Sequence, residues 1–163
     1  MITAVCSGSF DPITLGHMDI IRRAAACFDQ VLVCVSANTE KRSPMFTTEQ
    51  KLALVREAIR PIPNARAELL HGLIADFAVE HGAHIIVRGV RNVSDHDSET
   101  QMAIINRSIR PELETMFLPA SPEYQHFSSS MVRDMILYGR PLELYLPKEI
   151  LPMVRQFIQD KER

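Results

Sequence analysis

Short apolar runs alternate with amphipathic segments along almost the whole chain, and that alternation admits few folds. The runs Ile2–Cys6, Val31–Ser36, Ala67–Leu70, His84–Val87 and Thr115–Leu118 read as strands, and their near-continuous apolar character fits strands covered on both faces. Between them, Gly16–Phe28 reads as a helix with Ile20, Ile21, Ala24 and Phe28 on one side. Thr48–Arg60 is opened by the capping box Thr47-Thr48-Glu49-Gln50, and Ile74–His81 is stopped by Gly82. A fourth helix is expected over Asp97–Ile109, a fifth from the Ser128–Ser130 run to Gly139, and a last one after Pro147. The pattern predicts an α/β, Rossmann-like, doubly wound sheet of five parallel strands with helices on both faces, in the order 3-2-1-4-5. With 163 residues and 46% hydrophobic content, the chain builds one domain, residues 1–163, with a core that needs no disulfide or structural metal.

In such a sheet, ligands sit at the carboxyl ends of the strands, where the chain reverses direction between strands 1 and 4. The loops on that edge are Ser7–His17, Ala37–Phe46, Leu70–Leu73, Arg88–Ser94 and Pro119–Ser129. The first of them carries the densest chemistry. The opening MITAVCSGSFDPITLGH runs from a strand through Gly8, where the backbone can approach a ligand, and turns at Asp11-Pro12. It then reaches Thr14, whose hydroxyl can cap the next helix at the N–H of His17. His17 thus stands among free helix N–H groups that favour anions, as a positioned donor to a phosphate, while Asp11 orients the turn.

The other loops add cations and hydroxyls. Lys41 and Arg42 sit after strand 2, where a flexible cation reaches across the cleft. Arg88-Gly89-Val90-Arg91 follows a buried run, and its guanidinium forks match phosphate oxygens; ion pairs with Asp95, Asp97 or Glu99 are the alternative reading. Ser128, Ser129 and Ser130 can cap a helix and cradle a phosphate together, and Arg107 and Arg110 are expected to flank the same edge. The motifs of P-loop NTPases, dinucleotide dehydrogenases and α/β-hydrolases are absent, and no histidine or cysteine spacing suggests a zinc site. What remains is phosphate chemistry without a nucleophilic side chain.

A net charge of −2 and a pI near 6.3 argue against broad nucleic-acid or anionic-membrane binding, and no run approaches the length of a membrane span. Cys6, Cys27 and Cys34, odd in number and in apolar contexts, read as small core residues in a reducing compartment, which points to the cytoplasm.

The combination of GSFDPITLGH, Lys41, RGVRN, Glu99 and HFSSSMVR closely resembles the phosphopantetheine adenylyltransferase family of the T/HxGH nucleotidylyltransferase superfamily. Thr14 stands where sister families have the first histidine of H-x-G-H, and the serine triplet closes the last motif; both speak against nicotinate-mononucleotide adenylyltransferases and cytidylyltransferases. A nucleotide-sensing module without turnover and a purely structural protein fit the gathered His17, Lys41, Arg88 and Arg91 less well. The resemblance implies transfer of the adenylyl group of ATP to 4′-phosphopantetheine, giving dephospho-coenzyme A and pyrophosphate. Mg²⁺ is then carried by the ATP phosphates rather than by a protein-built site. It implies that His17, with Lys41 and Arg91, meets the transition-state charge, and that Ser9 bridges both substrates. Ser9, Phe10, His17, Gly89, Val90, Arg91, Glu99, Tyr124, Gln125, His126, Phe127, Ser128, Ser129 and Ser130 match ATP-binding positions. Ser9, Lys41, Ile74 and Arg88 match positions that hold phosphopantetheine. A homohexamer and coenzyme A as a feedback ligand are also implied. Two departures stand out: Ser7 replaces a common proline, and Asp95-His96-Asp97-Ser98-Glu99 replaces an aromatic-rich acidic stretch, which bears on the contacts of Glu99 and on subunit packing.

Overall fold

The computed structural model describes residues 1–37 and 44–161; Lys41 and Arg42 lie outside the described residues. Five parallel strands, β1 (Thr3–Gly8), β2 (Gln30–Ser36), β3 (Ala65–Leu70), β4 (Ile85–Val90) and β5 (Glu114–Pro119), form one sheet in the order β3-β2-β1-β4-β5, as the sequence predicts. The helices are α1 (Leu15–Cys27), α2 (Thr48–Ile59), α3 (Ile74–Glu80), α4 (Val93–Ile109), α5 (Ser129–Leu137) and α6 (Leu151–Lys161).

Period-two alternation sends the central strands into two separate cores. Ala4, Cys6, Val31, Val33 and Val35 face the larger one, with Ile21 and Ala24 of α1, Leu54 and Val55 of α2, Val132 of α5 and Val154 of α6. Val5, Leu32, Cys34 and Ile86 face the other, against Ala75, Phe77 and Ala78 of α3. The edge strand β5 departs from the expectation of full coverage, since Met116 is 44% exposed. A run such as Thr-Met-Phe-Leu does not reveal that its strand lies at the sheet margin, beyond the covering helices.

Helix starts follow their caps. The Thr47 hydroxyl accepts from Gln50 N while the Gln50 side chain accepts from Thr47 N, so the capping box at α2 is formed at both ends. The start of α4 corrects the sequence expectation of Asp97: Asn92 is the cap, its side chain accepting from Asp95 N at 2.9 Å, so the helix begins at Val93. The loop after β4 shrinks to Arg91 and Asn92, which plants both ends of the Arg88–Arg91 segment on regular structure. Two further corrections concern the surface. Cys27 is exposed rather than a core residue, because it sits on the solvent side of the last turn of α1. Arg107 and Arg110 line neither cavity described below; they pair with Glu114 at the amino end of β5 and with Asp76 of α3. Among the described residues no helix is long and apolar enough to cross a membrane.

Lys51 on α2 is fully buried, and among the described residues its ammonium has no hydrogen-bond partner. Burial pushes its pKa below the usual lysine value, a shift opposed by the nearby Asp11 carboxylate. Removing a buried ammonium that no described residue hydrogen-bonds relieves desolvation. We expect Lys51→Met to raise unfolding stability by about 1–2 kcal/mol in a urea titration; a loss of similar size would show that the ammonium is satisfied.

Candidate active site

The turn between β1 and α1 shapes the site. Asp11 spreads its carboxylate over two backbone donors, Met45 N and Phe46 N, each at 2.9 Å, which ties the turn to the chain that enters α2. Arg133 of α5 lies 3.7 Å from the same carboxylate and donates to the Asp11 carbonyl oxygen at 2.8 Å. The orienting role expected for Asp11 is thus realised through three elements at once. Phe10 adopts φ 46°, a left-handed conformation uncommon for a residue with a side chain, and its ring is buried. A Cβ at Gly8 would come within 3.1 Å of that ring, so Gly8 makes room for Phe10.

His17 follows. Thr14 caps α1 as expected, its hydroxyl accepting from His17 N at 3.3 Å. In return Thr14 N donates to His17 Nδ1 at 3.0 Å. A nitrogen that accepts a backbone N–H carries no proton, so the neutral ring bears its hydrogen on Nε2. The edge-to-face contact with Phe10, centroids 5.1 Å apart, fixes the ring plane. Burial, reinforced by the Arg88 and Arg91 charges, lowers the His17 pKa from 6.5 to about 4. His17 is therefore a neutral donor at physiological pH. Because the folded pKa is depressed, its stabilising contribution is complete above about pH 6.5 and is lost as pH falls toward 4. Thermal melts should accordingly fall more steeply over that window in the wild type than in His17→Gln; parallel slopes would contradict the assigned environment.

Two cavities open beside this turn, of about 280 and 380 Å³. Ser7, Gly8, Ser9, Arg88 and Glu99 line both and form their junction. The smaller cavity adds Phe10, His17, Gly89 and Arg91, and is closed above by Tyr124, Phe127, Ser128 and Ser129. Gly89 is required there by close packing: a Cβ would stand 2.8 Å from Ile20 Cγ1 of α1. The larger cavity adds Ile74. Val90, Gln125, His126 and Ser130 line neither cavity. The three serines are each engaged: Ser128 caps α5 by accepting from Met131 N, Ser129 Oγ donates to the Pro12 carbonyl oxygen, and Ser130 Oγ accepts from Arg133.

Both readings of the arginines meet in the structure. Arg88 and Arg91 line the cleft, and both are paired. Arg88 forks onto Glu99 at 2.8 and 2.7 Å, and Arg91 binds Asp95 at 2.9 Å while donating to the Phe127 carbonyl oxygen. Two features escaped the sequence reading. Asp19 of α1 accepts from Arg23 and from Ser121, and Arg23 donates to the Pro119 carbonyl oxygen, which clamps the chain leaving β5 beside the smaller cavity. The wall of the larger cavity comes from Met102, Ile105, Asn106 and Ile109 of α4. Their i, i+3, i+4, i+7 spacing was the signal that could have found them.

Residues 5–135 match the cytidylyltransferase-like family model. The chain is 48% identical over 147 residues to the phosphopantetheine adenylyltransferase of Symbiobacterium thermophilum, covering 90% of each chain. It is 43% identical over 163 residues to the enzyme of that name from Heliobacterium modesticaldum, covering all of this chain and 96% of the relative. The chain belongs to the phosphopantetheine adenylyltransferase family. Among solved structures, the bifunctional NMN adenylyltransferase/ADP ribose pyrophosphatase of Francisella tularensis superposes with a TM-score of 0.72 at 15% identity, over 99% of this chain and 49% of that one. The lipopolysaccharide core biosynthesis protein of Thermoplasma volcanium superposes with a TM-score of 0.56 at 23% identity, over 74% of this chain and 97% of that one. At such identities these two likenesses speak for the fold alone. Members of the phosphopantetheine adenylyltransferase family are nucleotidyltransferases.

Proposed function

We propose that this chain transfers the adenylyl group of ATP to 4′-phosphopantetheine, releasing dephospho-coenzyme A and pyrophosphate. The observation that carries this reading is the pair of cavities joined at Ser9 and Arg88, with the neutral His17 lining the smaller one. ATP occupies the smaller cavity between the β1–α1 turn and the Tyr124–Ser129 wall. Phosphopantetheine occupies the larger one, with its pantetheine arm against Ile74 and its phosphate at the junction.

The nucleophile is an oxygen of the acceptor phosphate, mostly dianionic near neutral pH because its second pKa is about 6. It forms a bond to the α-phosphorus of ATP as the bond to the β-phosphate bridging oxygen breaks, and pyrophosphate leaves in line. No proton has to be removed, so the protein's task is placement and charge stabilisation. The Nε2–H of His17 donates to the α-phosphoryl oxygens as negative charge grows on them; the first-turn N–H groups of Leu15 and His17 are already bonded, to the Tyr145 carbonyl oxygen and the Thr14 hydroxyl, and Lys41 and Arg91 supply positive charge around the same atoms. Ser9 hydrogen-bonds both substrates.

Mg²⁺ bound to the nucleotide phosphates neutralises part of their charge. The cleft carboxylates Asp95 and Glu99 are engaged by arginines. A homohexamer in the cytoplasm, with coenzyme A as feedback ligand, completes the reading.

Direct attack without an adenylyl-enzyme has a simple test. With Mg-ATP and labelled pyrophosphate, exchange of label into ATP should be negligible without an acceptor, and addition of 4′-phosphopantetheine should produce dephospho-coenzyme A by mass spectrometry. Exchange without an acceptor, or no such product, would contradict the proposal.

A further inference from the structure

Among the described residues, the charges at the junction between the cavities are balanced. Arg88 is paired with Glu99, Arg91 with Asp95, and His17 is neutral. The Arg88 guanidinium has five N–H donors, and four are taken. Nε and Nη2 fork onto the Glu99 carboxylate at 2.8 and 2.7 Å; Nη1 donates to the Ser7 carbonyl oxygen and, at 3.0 Å, to the Ser7 hydroxyl. The pair is largely withdrawn from water, with side-chain exposures of 30% and 19%. A phosphate arriving at Arg88 thus meets one free N–H and an adjacent carboxylate, so Arg88 paired in this way is a poor anion ligand.

We infer that Glu99 is a specificity-determining residue for the acceptor, an anionic placeholder on Arg88 that a phosphate dianion must displace to bind. The two Ser7 bonds hold Nη1 while Glu99 exchanges, so the guanidinium stays at the junction and offers its Nε/Nη2 edge to the incoming phosphate. A dianion competes with a carboxylate for that edge. A neutral or weakly charged analogue does not, and it leaves the ion pair intact. Glu99 therefore sets a charge threshold at the junction, in addition to any contact it makes with the nucleotide. Its counterpart in the sequence is the departure noted above: with Ser7 in place of proline, the chain gains the hydroxyl that steadies Arg88.

The inference rests on the reading of the cleft as a phosphopantetheine site, and the experiment separates the two. Calorimetry without ATP compares 4′-phosphopantetheine and pantetheine on the wild type and on Glu99→Gln, which keeps the side-chain size and one acceptor but removes the charge. The phosphorylated ligand should bind Glu99→Gln about tenfold tighter than the wild type, with pantetheine binding unchanged within twofold. Equal or weaker binding of phosphopantetheine to Glu99→Gln, or an equal gain for pantetheine, overturns the inference alone. No binding of either ligand to the wild type overturns the reading of the cleft as well. If Glu99→Gln does not fold, the wild type gives the answer. Its Arg88 Nε–H resonance, assigned by its loss in Arg88→Lys, should shift on saturation with phosphopantetheine and not with pantetheine. An unshifted resonance overturns the placeholder role.

Discussion

His17→Ala is expected to lower kcat by about a hundredfold or more while the KM for ATP changes by no more than a few-fold. The imidazole is held by the Thr14 N–H at 3.0 Å and by the Phe10 ring edge, so its Nε2–H is aimed before any substrate arrives. A donor fixed in this way needs no reorganisation as charge develops on the α-phosphate, and loss of one such donor typically costs about 2.7–4 kcal/mol of transition-state stabilisation. Ground-state ATP keeps its other contacts in the cavity, which is why KM should move little. His17→Gln is a sharper companion, since it retains a neutral N–H donor at a similar reach on a more flexible arm and should recover part of the loss. Turnover of His17→Ala within threefold of wild type would remove His17 from the reacting centre.

Arg88→Ala should raise the dissociation constant for 4′-phosphopantetheine about a hundredfold. Two effects add. The phosphate loses charge-assisted hydrogen bonds, of order 1.5–3 kcal/mol. The Glu99 carboxylate, now without its fork partner, remains beside the junction and repels a dianion. Stability should fall as well, because a largely withdrawn carboxylate is left unpaired. Calorimetry on the folded variant, with the melting temperature measured alongside, separates the two consequences; an unaltered dissociation constant would show that the acceptor phosphate binds elsewhere.

The architecture was legible because its signals are local and repeated. Five apolar runs separated by capped helices dictate a parallel sheet, and right-handed crossovers leave few orders for it, among them β3-β2-β1-β4-β5. The Thr14 cap was readable for the same reason, since a hydroxyl three residues before His17 has one obvious N–H to accept. Long-range features were less accessible. The start of α4 was misplaced because Asn92 lies in a polar run where one cap competes with several others. The half-exposed face of β5 depends on which helices reach the sheet margin. Cys27 looked like a core residue from its alanine neighbours, yet the helix face decides, and Ala24 rather than Cys27 points inward.

At the site, residue types predicted what gathers but not how the cleft is wired. Sequence placed Arg88, Arg91 and Glu99 in one region and left phosphate binding and ion pairing as alternatives. The structure pairs both arginines while keeping them on the cavity wall, and only the distances show that Arg88 is held by Ser7 as well as by Glu99. Asp19, Arg23 and Ser121 converge from positions up to 102 residues apart in the chain, a separation no local pattern can bridge.

The central claim is tested most directly by pyrophosphate release from Mg-ATP by the purified protein, with 4′-phosphopantetheine, nicotinate mononucleotide or glycerol 3-phosphate offered separately. We expect release with 4′-phosphopantetheine alone. Release only with another acceptor would keep the phosphate site and contradict the assigned substrate, and no release with any of the three would contradict the proposed catalysis.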